Sequence, residues 1–368
     1  MISAPSFPID MMGAAGMTIE NIWCDTKSRR KITRSDVPSD QSRRLLDNTV
    51  WGSRDTRYRI LGIEKKLARL RAPSYFVLSE DGQELCVFVL DYCLKQVAGQ
   101  PCGAYHFVMA STLPDRQNEG LADRLIDHVR DYCLTTVGAP GFGFAYVEAS
   151  TEFSLKLSSR IGYSIEATIP LTLFTRLFSR RDPNVGPLKA DETAGLIGSL
   201  ESLYADHELS DFATSLNPSE CFVYRRNGEI IAAAQTEVLT WQVVSLPGAV
   251  GGTLQNILPR TPGLNRMLDL QNLRIVRLGN LLVPEGSEPD FFSLIETCLS
   301  LHDARIGLIL LDERSPVLDR LRDNGRFGML SRVMNGSAKL HIDVVGMNDA
   351  TIGQLSNRPL LVSAADIF

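Results

Sequence analysis

The segment Gln117-Asn118-Glu119-Gly120-Leu121-Ala122 decides the fold, because it joins a predicted strand at 104–109 to a predicted helix at 121–135. The small residues Gly120 and Ala122 let the backbone come close to a ligand. The first N–H groups of a helix have no partner within the helix and lie at the positive end of its dipole. The segment therefore predicts a site where backbone N–H groups hold a diphosphate.

The neighbouring elements predict a mixed α/β fold. Asp81-Gly82 is a hairpin signal between two strands, and the apolar run at 144–147 is typical of a buried strand. A predicted helix at 151–160 ends at Gly162, a candidate C-cap. The order is helix pair, antiparallel strands, loop, helix, strand, helix and strand, with one β-α-β crossover in the middle.

With this context, segment 117–122 resembles the Q/R-x-x-G-x-G/A coenzyme A signature of the GCN5-related N-acetyltransferases. The element order over 31–178 is similar to that of the family. The resemblance implies a mostly antiparallel sheet with a central parallel crossover, acetyl-coenzyme A as cosubstrate, and acetyl transfer to a primary amine. It implies that the backbone of 108–110 pairs with the pantetheine arm. The cofactor-binding residues it implies are Val108, Met109, Ala110, Gln117, Asn118, Glu119, Gly120, Leu121, Ala122 and Thr151.

The implied reaction needs a base to deprotonate the ammonium form of the acceptor. Glu148 ends the central strand and is the best candidate, although an N-capping carboxylate is an equal alternative. Many family members protonate the departing thiolate with a tyrosine, where this chain has Ser158, and carry an asparagine where it has Thr151. Without this tyrosine, three alternatives are open. Another group protonates the sulfur, the thiolate leaves to water, or the domain binds coenzyme A without turnover. His106 is the weaker candidate, because a structural histidine is the commoner case.

Composition narrows the possible partners. The net charge is −5 without a basic stripe, which argues against nucleic acid, and no apolar run reaches the roughly 18 residues of a membrane span. The five histidines do not cluster, so no metal is expected. Seven cysteines without a CxxC spacing suit buried free thiols in a reducing cytoplasm.

The 368 residues are too many for one ordinary domain of roughly 100–200 residues. We predict an N-terminal extension at 1–30, an acetyl-coenzyme A-binding domain at 31–180, a linker at 180–187 and a second domain at 188–368. The second domain repeats the element order around an irregular insertion at 247–271, and an unrelated α/β domain is the alternative. Its equivalent loop, 285–290, has three carboxylates and a proline, so it resembles a degenerate copy.

Three functions fit the sequence. The first is an N-acetyltransferase acting on a small-molecule or peptide amine, and the second is a non-catalytic acyl-coenzyme A-binding or sensor protein. The third is aminoacyl or peptidyl transfer, which a basic groove for transfer RNA would favour.

The first half lacks a clear final strand after Phe178. We therefore predict that 358–368 is an ordered strand at or near the domain interface, completing that sheet.

Overall fold

The computed structural model describes residues 18–52, 57–149, 151–161, 165–246, 269–328 and 336–366. Three predicted features lie partly or wholly outside these ranges: the N-terminal extension up to 17, the helix stop at Gly162 and most of the insertion at 247–271.

The first half, up to residue 179, begins with strands and two short helices and ends with the predicted crossover. Ser39 caps the first helix by accepting a hydrogen bond from the Ser42 N–H at 3.0 Å. The elements are β1 (Ile19–Asp25), β2 (Arg30–Ser35), α1 (Asp40–Asp47), β3 (Trp51–Gly52), β4 (Arg57–Leu61), α2 (Ile63–Leu67), β5 (Pro73–Glu80), β6 (Gln83–Val97), β7 (Gln100–Thr112), α3 (Leu121–Val137), β8 (Gly141–Glu148), α4 (Glu152–Ile161) and β9 (Ile165–Thr175).

The second half, from residue 180 onward, repeats this order. Its Asn227-Gly228 turn has two positive φ angles, +53° and +86°, and closes the predicted hairpin. The elements are β10 (Val185–Pro187), α5 (Thr193–Leu203), α6 (Phe212–Ser215), β11 (Cys221–Arg226), β12 (Glu229–Ser245), β13 (Leu273–Leu282), α7 (Glu288–Leu301), β14 (Ile306–Leu310), α8 (Pro316–Asn324), β15 (Ser337–Val345) and α9 (Asp349–Asn357).

All strands in the described ranges join one continuous sheet. Its order is β1-β2-β5-β6-β7-β8-β15-β9-β14-β13-β12-β11-β10, and β4 pairs with both β3 and β12. Within each half, one pair of strands is parallel, β7 with β8 and β13 with β14, and a helix connects each pair. The predicted fold class, two tandem acetyltransferase-like units with mostly antiparallel sheets and a central β-α-β crossover, is confirmed.

The two halves exchange strands at the centre of the sheet. Strand β15 lies between β8 and β9, where Leu340 faces both Tyr146 and Ala167, and β9 pairs in turn with β14. Leu340 and Ile342 are fully buried in a core to which both halves contribute. The domain boundaries at 180 and 188 stay predictions. Each half's part of the continuous sheet is nevertheless completed by a strand from the other half.

The prediction that 358–368 forms the missing strand is wrong. Strand β15 fills that place, because its alternating residues Ala338, Leu340 and Ile342 match the buried face of the sheet. Residues 358–366, here called the tail, form only one isolated bridge, between Leu360 and Glu208. The tail is nevertheless ordered at the interface, as predicted, and most of it is buried.

The predicted extension at 1–30 needs a similar correction. From residue 18 onward the chain belongs to the sheet, since β1 pairs with β2 from Ile19 opposite Ser35 to Asp25 opposite Arg30. Its apolar residues Ile22 and Trp23 are only half-buried against the core, so the strand has no clear alternating pattern.

Helices cover both faces of the first-half sheet. Phe88 of β6 packs in the same core as Leu125 of α3, whereas its neighbours Val87 and Val89 pack with residues of α1 and α2. Successive side chains of β6 therefore pack on opposite faces of the sheet, in keeping with the alternation of side chains along a strand.

Candidate functional site

The predicted diphosphate loop is a sharp turn that leads directly into α3. Asn118 and Gly120 both adopt positive φ angles, +67° and +71°, and α3 begins at Leu121. The Arg124 N–H donates to the Gly120 carbonyl at 3.1 Å, so the N–H groups before it have no carbonyl partner within the helix. A Cβ added to Gly120 would meet only Asp123 Oδ2, at 3.9 Å. Glycine is therefore favoured there by backbone conformation and not by lack of space.

Four charged side chains form a frame beside this loop. Arg30 donates to Glu80 at 2.7 Å, and Arg116 donates to Glu80 at 3.0 Å and to Glu119 at 2.7 and 2.9 Å. The hydrogen bond from Arg30 is the main reason that the pKa of Glu80 is lowered. Likewise, the hydrogen bond from Arg116 lowers the pKa of Glu119. Glu119 therefore stays ionised and holds Arg116 next to the loop.

A gap opens between β7 and β8 at their carboxyl ends. The two strands pair only from Gly103–Gly141 to Phe107–Ala145. The register of β7 with β6 then shifts, leaving Val108 as an extra, bulged residue. Beyond the bulge, no strand in the described ranges pairs with β7 at 108–112 on the β8 side. An extended ligand with amide groups could pair with that edge as a further strand does.

Glu148 lies at the end of β8, on the rim of this gap. The Thr151 hydroxyl donates to its carboxylate at 3.4 Å, and the Thr151 N–H donates to its carbonyl at 3.0 Å. The fold thus brings together two predicted site residues, with Thr151 at the entrance to α4. Burial and then the charge of the Glu148 carboxylate raise the pKa of Tyr58.

The Ser158 hydroxyl forms a hydrogen bond within α4 and not with the residues at the rim. Its side chain is buried, and its hydroxyl donates to the Leu155 carbonyl of α4 at 2.9 Å. The donor that could protonate a thiolate is therefore engaged within the helix.

His106 lies on the same side of the sheet as Glu148. Its ring stacks on Phe144 with centroids 4.6 Å apart and meets Tyr146 edge-on at 5.4 Å. Glu148 follows Tyr146 by two residues on β8 and so points to the same face. Nε2 of His106 has no hydrogen-bond partner in the described ranges, and burial lowers the pKa to about 3. The imidazole is therefore neutral at pH 7, and the sequence alone could not indicate its direction.

Aromatic residues from both halves lie near the rim. Tyr58 of β4 stacks on Trp241 of β12, with ring centroids 4.2 Å apart and planes at 18°. Trp51 faces Tyr58 across the β3–β4 pair. These three aromatic residues were not predicted as site residues, because the contact joins positions far apart in the chain.

The equivalent loop of the second half is filled by its own side chains. Glu288 and Asp290, in the first turn of α7, are buried and bind Arg320 at 3.1 Å and Arg226 at 2.8 Å. Pro289 removes an N–H from the same turn. A diphosphate would meet buried carboxylates there.

The second half also lacks an open gap between its parallel strands, since the tail passes the ends of β13 and β14. A Cβ added to Gly279 of β13 would lie 2.7 Å from the Cβ of Ala364. The Arg277 guanidinium donates to the carbonyls of Ala364 and Asp366. The Leu360 N–H donates to Asp312, just beyond β14, at 2.9 Å. The chain itself therefore occupies this position.

No group of three or more His, Cys, Asp or Glu side chains in the described ranges is arranged to hold a metal ion. In the same part of the chain, no helix has the length and apolar character needed to cross a membrane.

These features define a tandem fold of the GCN5-related N-acetyltransferase type. N-myristoyltransferase from Saccharomyces cerevisiae, solved with bound myristoyl-CoA, shares it with a TM-score of 0.57 and 10% identity, over 93% of this chain and 89% of that one. A GCN5-related glucosamine N-acetyltransferase region of a fungal multi-domain GH3 β-N-acetylglucosaminidase has a TM-score of 0.52 and 13% identity, over 90% of this chain and 38% of that one. No family model and no curated protein matches the sequence. The likeness therefore concerns the fold.

Proposed function

We propose that the chain is an acyl-coenzyme A-dependent N-acyltransferase that transfers an acetyl group to a primary amine. The carrying observation is one continuous arrangement: the glycine turn at the start of α3, the open edge of β7 and the carboxylate of Glu148 border the same gap. The structural neighbours are enzymes named for N-acyl transfer, which supports the same class of reaction.

In this proposal, the N–H groups at 119–122 hold the diphosphate, with Asn118 and Gly120 shaping the turn and Gln117 beside it. The backbone of 108–110 holds the pantetheine arm, and Thr151 supports the thioester end. Glu148 takes the proton from the ammonium group of the acceptor. The domain at 31–180 is then the active one, and the domain at 188–368 is its degenerate partner.

Release of coenzyme A from acetyl-coenzyme A, followed with a thiol reagent over a panel of primary amines, tests the proposal. We expect turnover with at least one amine. Binding of acetyl-coenzyme A without turnover by any amine would contradict acyl transfer.

Glu148→Gln should lower kcat by about 10²-fold or more, because the amide cannot accept the proton. We expect a much smaller change in the Kd for acetyl-coenzyme A, since the carboxylate is not part of the diphosphate turn. Initial rates at saturating amine, together with calorimetric titration of the cofactor, measure the two effects.

Glu201→Gln is the matched control, because Glu201 is exposed on α5 in the second half. It should keep the wild-type rate. A Glu148→Gln protein with the wild-type kcat would exclude Glu148 as the base.

A sensor protein that holds an acyl-coenzyme A without turnover is the second candidate. The engaged hydroxyl of Ser158 favours it, because α4 then offers no free hydroxyl at the position where the family often has its acid. Ser158→Ala tests the role of this hydroxyl: an unchanged rate in an active enzyme would show that the thiolate is protonated elsewhere.

A further inference from the structure

Three half-buried aromatic side chains line one side of the site. Trp51, Tyr58 and Trp241 all pack against the apolar cluster that includes Met109, next to the bulge of β7. Two apolar residues at the gap, Val108 and Leu113, pack against the same cluster. The edge of the gap and the aromatic rings therefore form one continuous surface, here called the aromatic wall (Trp51, Tyr58 and Trp241).

Strand pairing fixes the wall. In the antiparallel pair of β4 and β12, Trp241 lies opposite Ile60, and Val243 lies opposite Tyr58. Tyr58 and Trp241 are thus diagonal neighbours on one face, close enough for their rings to stack. Because β4 belongs to the first half and β12 to the second, neither half alone forms the wall.

The wall is next to a negative charge. Trp241 packs against the same apolar cluster as Tyr146 of β8, and Glu148 follows Tyr146 by two residues on the same face of the sheet. Aromatic faces attract cations, and a carboxylate attracts an ammonium group. The combination suits a ligand with a positive charge at one end and a flat apolar body.

We propose that the acceptor is a primary amine on an aromatic body, with its ammonium group at Glu148 and its ring on the aromatic wall. The inference rests on the proposed function only in taking this ligand to be the acyl acceptor. Aromatic pairs prefer offset or edge-to-face contact, and both rings of the Tyr58–Trp241 stack are only half-buried.

The polarity of the surface argues against an amino sugar. A sugar with several hydroxyl groups needs a hydrogen-bond partner for each group that loses water. Around the wall, Val108, Met109 and Leu113 provide only apolar side chains. The Trp51 Nε1–H has no acceptor in the described ranges, but it is buried and does not face a ligand on the wall. An arylalkylamine therefore fits better than glucosamine.

Equilibrium binding tests the inference independently of turnover. With the protein saturated by coenzyme A, we would titrate 2-phenylethylamine, 2-cyclohexylethylamine and glucosamine by calorimetry. We expect 2-phenylethylamine to bind most tightly. Trp241→Leu keeps an apolar side chain in the sheet and should weaken this binding about two- to tenfold. Phe178→Leu removes an exposed ring that does not belong to the wall and should leave the binding unchanged.

The outcomes separate the two proposals. Tighter binding of glucosamine, or unchanged binding of 2-phenylethylamine by Trp241→Leu, overturns the aromatic acceptor. Acetylation of glucosamine in that case would still support the proposed acyltransferase activity. Conversely, tight wall-dependent binding of 2-phenylethylamine without coenzyme A release from acetyl-coenzyme A supports the wall and contradicts acyl transfer.

Discussion

Gly120→Glu is expected to abolish coenzyme A binding. At φ +71° a side chain strains the backbone by about 1–2 kcal/mol, and the new carboxylate would lie among the N–H groups that hold the diphosphate. We expect the Kd to rise by well over about tenfold, or 1.4 kcal/mol. Calorimetric titration with coenzyme A measures it.

The second half offers a matched control. Gly286 also has a positive φ, +80°, with no atom within 4 Å of an added Cβ, and it lies in the equivalent loop. Gly286→Glu therefore introduces the same strain and charge away from the proposed site, and binding should stay normal. The reverse result, with Gly120→Glu binding normally and Gly286→Glu failing, would move the cofactor to the second half.

The turn that leads into α3 was predictable because its geometry is local. The glycine at 120, the helix that follows and the strand before it are neighbours in sequence, and each leaves a pattern there. The hairpin at Asp81-Gly82 and the Ser39 cap were predictable for the same reason. Local backbone rules therefore account for most elements of the fold.

Contacts between distant positions were not predictable. The frame beside the loop joins Arg30 to Glu80, 50 residues away, and neither residue is unusual by itself. The direction of the His106 side chain depends on strand register, because a shift of one residue reverses the face. The exchange of β9 and β15 depends on packing between the halves. The lack of a final strand in the first half indicated an exchange but did not identify the strand.

The tail is the clearest case in which the halves depend on each other. Lys95 of β6 is fully buried, with Nζ 3.0 Å from Asp211 and 2.9 Å from Asp366 of the tail. The Tyr146 hydroxyl donates to the same Asp366 carboxylate at 2.7 Å. Burial is the largest single effect and raises the pKa of Asp366, but Lys95 and the other neighbouring groups, including the Tyr146 hydroxyl, together lower the pKa to about 2. The carboxylate is therefore charged at neutral pH and links the tail to two strands beside the proposed cofactor site.

Deletion of 358–368 should destabilise the whole protein and weaken coenzyme A binding. It exposes the surface covered by Leu360, Leu361 and Val362, each contributing about 1.5–3 kcal/mol. It also removes one of the two carboxylates from buried Lys95, a loss of about 3–5 kcal/mol. We expect the Tm to fall by more than about 10 °C.

The milder Asp366→Asn keeps the tail and removes only its charge, so it tests the link even where the truncated protein aggregates. It should lower the Tm by several degrees, whereas Asp349→Asn, at an exposed position on α9, should not. Coenzyme A affinity should fall with the Tm, because Tyr146 lies on β8 at the edge of the gap. If both variants of the tail keep the wild-type Tm and affinity, the tail is dispensable and the first half forms its site without it.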